Sequence, residues 1–179
     1  NDLVPLWFFY FALEQALWDS KLFLQQNPDF FINVNVSAKQ LERPDFCRVV
    51  LELLDKTEFP VRHLCLEITE RCRSLPVSVI NERMAVLRGY GIKFAMDDFG
   101  TGSSSSAMAL EMLIDEIKID MSFIRKILVN KKNKAIVQSM VDFANAANIK
   151  SCLEGVENKA LEDYLRTVGA TWFQGYYYS

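Results

Sequence analysis

Apolar segments of strand length alternate with helix-like segments along most of the chain. Six apolar runs each end in a polar or charged residue before the next helical pattern begins. They cover residues 30–36, 64–69, 92–98, 116–120, 149–154 and 171–175. Strands that alternate with helices in this way predict a parallel sheet with right-handed crossovers. A further helix is predicted near residues 3–26. Its aromatic residues lie around all sides, which implies that they need cover, and in these 179 residues the aromatic face at 7–11 is expected to be left uncovered.

The sheet is better explained by a barrel than by an open, doubly wound arrangement. An open sheet would normally carry a glycine-rich phosphate loop after its first strand, and residues 98–102 match neither GxGxxG nor the P-loop spacing. We therefore predict an α/β fold of the TIM-barrel type. Because a closed barrel has eight strands and the sequence shows about six, residues 1–179 are expected to form one barrel domain without its first two strands and its extreme C-terminus.

Polar side chains at the strand ends are the candidate chemistry. In a parallel barrel the carboxyl ends of all strands open on one face, so these side chains should converge although they are distant in sequence. They are Asn35, Glu67, Asp97, Asp98, Lys118, Glu154 and Gln174. The alternative is that strand ends are polar simply because loops begin there. For Asp97 and Asp98 alone, a role in the site is no better an explanation than Asp98 as a helix cap and Asp97 as a polar strand end, and Gln174 could simply cap the sheet.

Carboxylates, an amide and one lysine suit a divalent cation with oxygen ligands, such as magnesium or manganese. Two such ions would hold a bridging water for hydrolysis at phosphorus. A buried Lys118 needs a nearby carboxylate, phosphate or polarised water and would neutralise developing charge, while Glu154 would either bind metal or accept the proton. Glu70 lies beyond the strand end, where an exposed carboxylate without a role is the simpler interpretation.

Composition narrows the possible functions. The net charge of −3 leaves no basic field for long nucleic acid. A single histidine, His63, excludes mechanisms that need several histidines, and four cysteines without a CxxC pair fit a reducing cytoplasm. The most apolar stretch, residues 3–18, is interrupted by Glu14 and Gln15, whereas a membrane span needs about 18 uninterrupted apolar residues. No membrane contact is expected from this segment.

Six motifs occur in an order and spacing that resemble the EAL family of bacterial phosphodiesterase domains, which act on cyclic di-GMP. They are NVNVSAKQ at 33–40, LEITE at 66–70, DDFGTG at 97–102, KID at 118–120, EGVE at 154–157 and QGY at 174–176. The resemblance covers essentially the whole chain. It implies a TIM-like barrel of eight strands with the first one antiparallel, and two magnesium or manganese ions that serve to open cyclic di-GMP to linear pGpG.

The resemblance also implies roles for single residues. Asn35, Glu67 and Asp97 resemble metal ligands, with Asp97 bridging the two ions. Asp98 resembles a ligand of the second metal, and Lys118 matches the lysine near the attacking water. The remaining matches are Glu154 as general base or metal ligand, Gln174 as a substrate-site glutamine, and Glu70 as the glutamate that anchors the loop after Asp98.

Departures from the family pattern leave an alternative open. The Glu-Ala-Leu motif that names the family is absent from this sequence, and serine stands at 103 and 106, where tyrosine and leucine are usual. The alternative function is a catalytically inactive EAL-like module that binds cyclic di-GMP or a partner protein as a sensor. Degenerate members typically lose residues at positions that are kept here, which favours an active enzyme. Further signalling domains in the full-length protein are expected and a homodimer is possible, while these 179 residues alone could be inactive.

Overall fold

The computed structural model describes residues 6–69, 76–102 and 105–178. The chain divides into two compact units, Asn1–Phe94 and Ala95–Ser179, and the division falls within a strand. Each of the six predicted apolar runs overlaps a strand, and the run at 64–69 matches its strand at both ends. No helix in these described ranges is both long and apolar enough to cross a lipid bilayer.

The first unit begins with a long helix and contains two complete strands. Its elements are α1 (Leu6–Gln26), β1 (Ile32–Val36), α2 (Ala38–Leu41), α3 (Phe46–Thr57), a short 3-10 helix (Val61–His63), β2 (Leu64–Thr69) and α4 (Val77–Gly89). Strand β1 pairs with β2 in parallel. His63, which precedes β2, is buried with its ring Nδ1 2.6 Å from the carbonyl oxygen of Phe30. This contact gives the histidine a structural role.

Only one face of α1 is buried within this unit. Leu13 and Leu17 are fully buried, and the ring of Phe9 stacks on that of Phe46 in α3 at 6.3 Å. On other sides Trp7 is 68% exposed and Phe11 is 60% exposed. The aromatic face of this helix is thus largely uncovered in the described residues, as expected, because the helix packs against α3 along a single stripe.

The second unit contains three complete parallel strands and the larger part of a fourth, β3. Its elements are β3 (Lys93–Phe99, which begins in the first unit), α5 (Ser105–Glu111), β4 (Glu116–Ile119), α6 (Met121–Ile124), α7 (Lys131–Ala146), β5 (Lys150–Glu154), α8 (Lys159–Arg166), β6 (Trp172–Gln174) and a 3-10 helix (Tyr176–Tyr178). Strand β4 pairs with β3 and β5, and β5 pairs with β6. Because every one of these pairs is parallel, the carboxyl ends of the four strands lie along the same edge.

Polar side chains begin the helices that follow these strands. Asp120 comes directly after β4, and its carboxylate accepts a hydrogen bond of 2.9 Å from the backbone N–H of Ser122 in the first turn of α6. Asn158 does the same for α8, accepting from the N–H of Leu161 at 3.0 Å. Such caps satisfy donors that would otherwise lack a partner at a helix start. They fix where α6 and α8 begin.

Candidate active site

A β-bulge presents two aspartates to one lysine. Between β3 and β4 the register runs from Met96 opposite Ile117 directly to Phe99 opposite Ile119. Asp97 and Asp98 therefore stand opposite Lys118 alone, which is the two-against-one arrangement of a bulge. Asp98 also has a left-handed backbone, with φ of 56°. These two features interrupt the usual alternation of side chains along a strand, so consecutive carboxylates need not point to opposite faces.

Lys118 is the centre of the second unit's charged cluster. Its side chain is only 5% exposed, and its Nζ lies 2.8 Å from Glu154 Oε1 and 3.7 Å from Asp97 Oδ1. A buried ammonium group requires such anionic partners, because an unpaired buried charge is costly. The two carboxylate side chains remain 18% and 17% exposed. The cluster therefore lies at an edge that a small ligand can reach.

Gln174 is placed beside Glu154 by the pairing of β5 with β6. The two residues are register partners at the carboxyl ends of their strands. The segments that follow β5 and β6 are also joined by backbone hydrogen bonds. The N–H of Val156 donates to the carbonyl of Gln174, and the N–H of Tyr177 donates to the carbonyl of Val156, both at 3.0 Å. Gly175 allows this approach, because a Cβ there would lie 2.7 Å from the carbonyl carbon of Val156.

Asn35 and Glu67 form a pair within the first unit. They are register partners near the carboxyl ends of β1 and β2, where Asn35 is exposed and Glu67 is 3% exposed. The structure thus brings these two predicted ligands side by side, as it separately brings together Asp97, Lys118 and Glu154 in the second unit. Glu70 and Ser103 lie outside the described residues.

The chemistry of the donor set fits a hard divalent cation. The candidate ligands offer carboxylate and carboxamide oxygens, which suit magnesium or manganese better than zinc. Within residues 6–69, 76–102 and 105–178, no three acidic, histidine or cysteine side chains are close enough together to enclose an ion. In the second unit, the ammonium group of Lys118 contacts both Asp97 and Glu154.

In the second unit, acidic side chains at the carboxyl ends of parallel strands contact a buried lysine. Comparison with known proteins identifies the family. The model of the EAL domain family matches residues 6–179, so the chain belongs to the EAL domain family. Its EAL TIM-barrel-like fold confirms the predicted fold class, and EAL phosphodiesterases are in general metal-dependent.

Several relatives and solved structures are similar over most of this chain. It is 31% identical over 176 residues to the cyclic di-GMP phosphodiesterase PdeB of Shewanella oneidensis, covering 98% of this chain and 20% of that protein. It is 31% identical over 165 residues to the cyclic di-GMP phosphodiesterase PdeA of Borreliella burgdorferi, covering 92% and 25%. The chain thus spans about a fifth to a quarter of these relatives.

Two solved structures show the same fold. The PaMucR phosphodiesterase in its c-di-GMP complex has a TM-score of 0.86 at 30% identity, covering 93% of this chain and 68% of that one. The EAL domain of Mycobacterium smegmatis DcpA has a TM-score of 0.88 at 27% identity, covering 93% and 76%.

Two features of the site had no place in the predictions from sequence. One is the bulge that sets Asp97 and Asp98 against Lys118. The other is Thr101, whose Oγ1 donates to the backbone carbonyl of Asp98 at 2.9 Å. The pair of glycines at 100 and 102 signals a tight turn in this region, but a glycine pattern does not show which side chain holds the turn.

Proposed function

We propose that this chain is the catalytic domain of a cyclic di-GMP phosphodiesterase, which hydrolyses cyclic di-GMP to linear pGpG. The observation that carries the proposal is the buried Lys118 held between Asp97 and Glu154, within a chain of the EAL family. A structural relative is a phosphodiesterase in complex with c-di-GMP, which supports the choice of substrate.

Each candidate site residue of the second unit has its own role in this proposal. Asp97 and Asp98 would hold the two magnesium or manganese ions through their carboxylate oxygens. When bound, these ions would lower the pKa of a water and offset phosphate charge. Lys118 stabilises the charge that develops on the phosphate oxygens, at a position where burial strengthens its field. Gln174 orients the substrate.

Glu154 is the proposed proton acceptor, although a role as a metal ligand stays possible within the same scheme. The attacking water loses a proton to its carboxylate as the new bond to phosphorus forms, and the bond from phosphorus to the sugar oxygen breaks. The ion pair with Lys118 holds one carboxylate oxygen of Glu154 at 2.8 Å, which fixes the direction of the side chain.

The other assignments rest on the resemblance to the family. Asn35 and Glu67 would contribute further metal ligands, and their side-by-side position on β1 and β2 supports a shared role. Glu70 would anchor the loop after Asp98. We further propose that residues 1–179 belong to one EAL barrel domain within a larger signalling protein, which is able to form a homodimer. We propose a cytoplasmic location, because the four cysteines of the sequence include no CxxC pair.

The test is hydrolysis of cyclic di-GMP by the purified full-length protein, with pGpG separated by liquid chromatography. Turnover should require magnesium or manganese and should stop when the metal is chelated. Asp97→Asn should abolish turnover and leave the fold intact, as checked by circular dichroism, because the charge needed for the cations is lost while the shape is kept. Asp142→Asn, at an exposed site on α7 of the same unit, is the matched control.

Two outcomes would count against catalysis. Equal rates for the wild type and Asp97→Asn would refute the metal assignment of Asp97. Tight binding of cyclic di-GMP without turnover under any metal condition would instead support the sensor module, in which the same site binds the dinucleotide but does not cleave it.

A further inference from the structure

The backbone at Asp98 is strained, and something must hold it. Its φ of 56° lies in the left-handed region, which residues with a side chain enter at a cost. Such conformations persist only where surrounding contacts determine them. Because Asp98 also lies in the bulge, its backbone conformation sets the direction in which its carboxylate points.

The turn that follows Asp98 is held by packing against aromatic side chains. Residues 98–101 form a β-turn closed by a bond of 3.1 Å from the N–H of Thr101 to the carbonyl of Asp98, and Gly100 has the φ of 97° that a type II turn requires. The ring of Phe99 is buried and stacks on Phe143 of α7 at 6.0 Å. A Cβ at Gly100 would come within 3.0 Å of the Phe123 ring, so the turn lies tightly against its support.

Thr101 adds a second bond to the same carbonyl. Its Oγ1 donates to the oxygen of Asp98 at 2.9 Å, in addition to the bond from its own N–H. The carbonyl of Asp98 is therefore fixed by two donors from one residue. Since this carbonyl lies in the peptide plane that follows Asp98, fixing it limits rotation at the strained residue.

We infer that Thr101 is a positioning residue for the carboxylate of Asp98, acting through the hydroxyl bond to the Asp98 carbonyl. The inference rests on the proposed function, in which Asp98 binds one of two divalent cations. The side chain of Thr101 is exposed and is not buried in the core. Removing its hydroxyl should therefore loosen the carboxylate, and weaken cation binding, with little effect on the fold.

A matched threonine in the same unit provides the control. Thr167, at the end of α8, is also exposed, and both its Oγ1 and its N–H donate to the carbonyl of Tyr164, three residues earlier. Thr167→Val thus removes a hydroxyl bond of the same kind, from a position that takes no part in the proposed site. Thr101→Ser keeps the hydroxyl and removes only a methyl group.

The experiment measures binding of Mn²⁺ alone to the full-length protein by electron paramagnetic resonance, and then the Mn²⁺ concentration for half-maximal hydrolysis of cyclic di-GMP. Thr101→Val should weaken Mn²⁺ binding about three- to tenfold, the usual consequence of one lost hydrogen bond. Excess Mn²⁺ should restore its turnover. Thr101→Ser and Thr167→Val should stay within about twofold of the wild type in both measurements.

Different outcomes would overturn different statements. Wild-type binding in Thr101→Val would refute the inference and leave the proposed function standing. Equal weakening in Thr101→Ser, or in Thr167→Val, would also refute it, because the hydroxyl bond at Asp98 would not be the cause. A wild-type protein that neither binds Mn²⁺ nor hydrolyses cyclic di-GMP would refute the proposed function itself, and the inference with it.

Discussion

Gly175→Ala should destabilise the end of the second unit, because no space exists there for a methyl group. The added carbon would lie 2.7 Å from the carbonyl carbon of Val156, where ordinary contact starts at 3.4 Å, so the two segments must separate by at least about 0.7 Å. The backbone bonds on either side, from Val156 N to Gln174 O and from Tyr177 N to Val156 O, would be strained or lost. At about 1 kcal/mol each, with overpacking added, the cost should be about 2–4 kcal/mol.

Alanine substitutions at two other glycines serve as controls, because they change the backbone preference without creating a steric clash. At Gly89, the last residue of α4, no atom lies within 4 Å and φ is not positive, so alanine should leave stability unchanged or raise it slightly. At Gly169, space is also open but φ is 85°, so alanine should cost about 1 kcal/mol from backbone strain alone.

Urea unfolding of the three variants, followed by circular dichroism, tests the ranking. Gly175→Ala should be the least stable, with Gly169→Ala between it and Gly89→Ala. Turnover should fall about 100-fold in Gly175→Ala, because a displacement near 1 Å at Gln174 is enough to misplace a substrate. If Gly175→Ala and Gly169→Ala were equally stable and equally active, the steric argument would be wrong.

Two further variants test the charged groups. Lys118→Ala should lower kcat far more than it raises KM, because the ammonium group is proposed to act on charge that develops in the transition state; a change confined to KM would show that Lys118 merely binds substrate. Glu162 has a pKa lowered by hydrogen bonds from Arg166 and Lys159, so its contribution to stability is present above the unfolded-state pKa of about 4.3 and is lost as pH falls through the folded-state value. Unfolding temperatures measured from pH 7 to pH 3 should therefore fall less in Glu162→Gln, and identical curves would contradict this role.

The strands were predictable because burial leaves a continuous apolar record in the sequence. In β2 all but the last residue are buried, and the apolar run at 64–69 predicted its limits correctly. At β1 the prediction began at Phe30, two residues before the strand at Ile32. Phe30 is an aromatic residue that stacks on Phe23 of α1 at 5.4 Å instead of extending the strand. Hydrophobicity alone cannot distinguish these two uses of an aromatic side chain.

The need for a partner at Lys118 was predictable, but its identity was not. A lysine flanked by isoleucines in a strand implies burial, and burial implies a nearby anion. Which carboxylate meets the ammonium group depends on sheet register, and the 2.8 Å contact is with Glu154, which lies 36 residues further along the chain. The exposure of Trp7 and Phe11 agrees with the expectation that the aromatic face of α1 is uncovered, but the sequence did not show which side of the helix would be buried. Aromatic residues on all sides of a helix indicate only that the helix favours burial. The contact with α3 decides which side of α1 is buried.

The bulge at Asp97 and Asp98 explains how one strand can place two neighbouring acids in one site. A regular strand sends consecutive side chains to opposite faces, which would direct one of the two acids away from Lys118. An extra residue in β3, together with the left-handed backbone of Asp98, removes that constraint at the position where the strand ends. The same change leaves an aspartate in a backbone conformation that favours glycine. This conformation is stabilised by the close packing of Gly100 against Phe123 and by the two hydrogen bonds that Thr101 donates to the Asp98 carbonyl. The alternation of side chains along β3 is thus interrupted where the proposed chemistry needs two carboxylates together. The residues after the strand stabilise the unusual backbone that results.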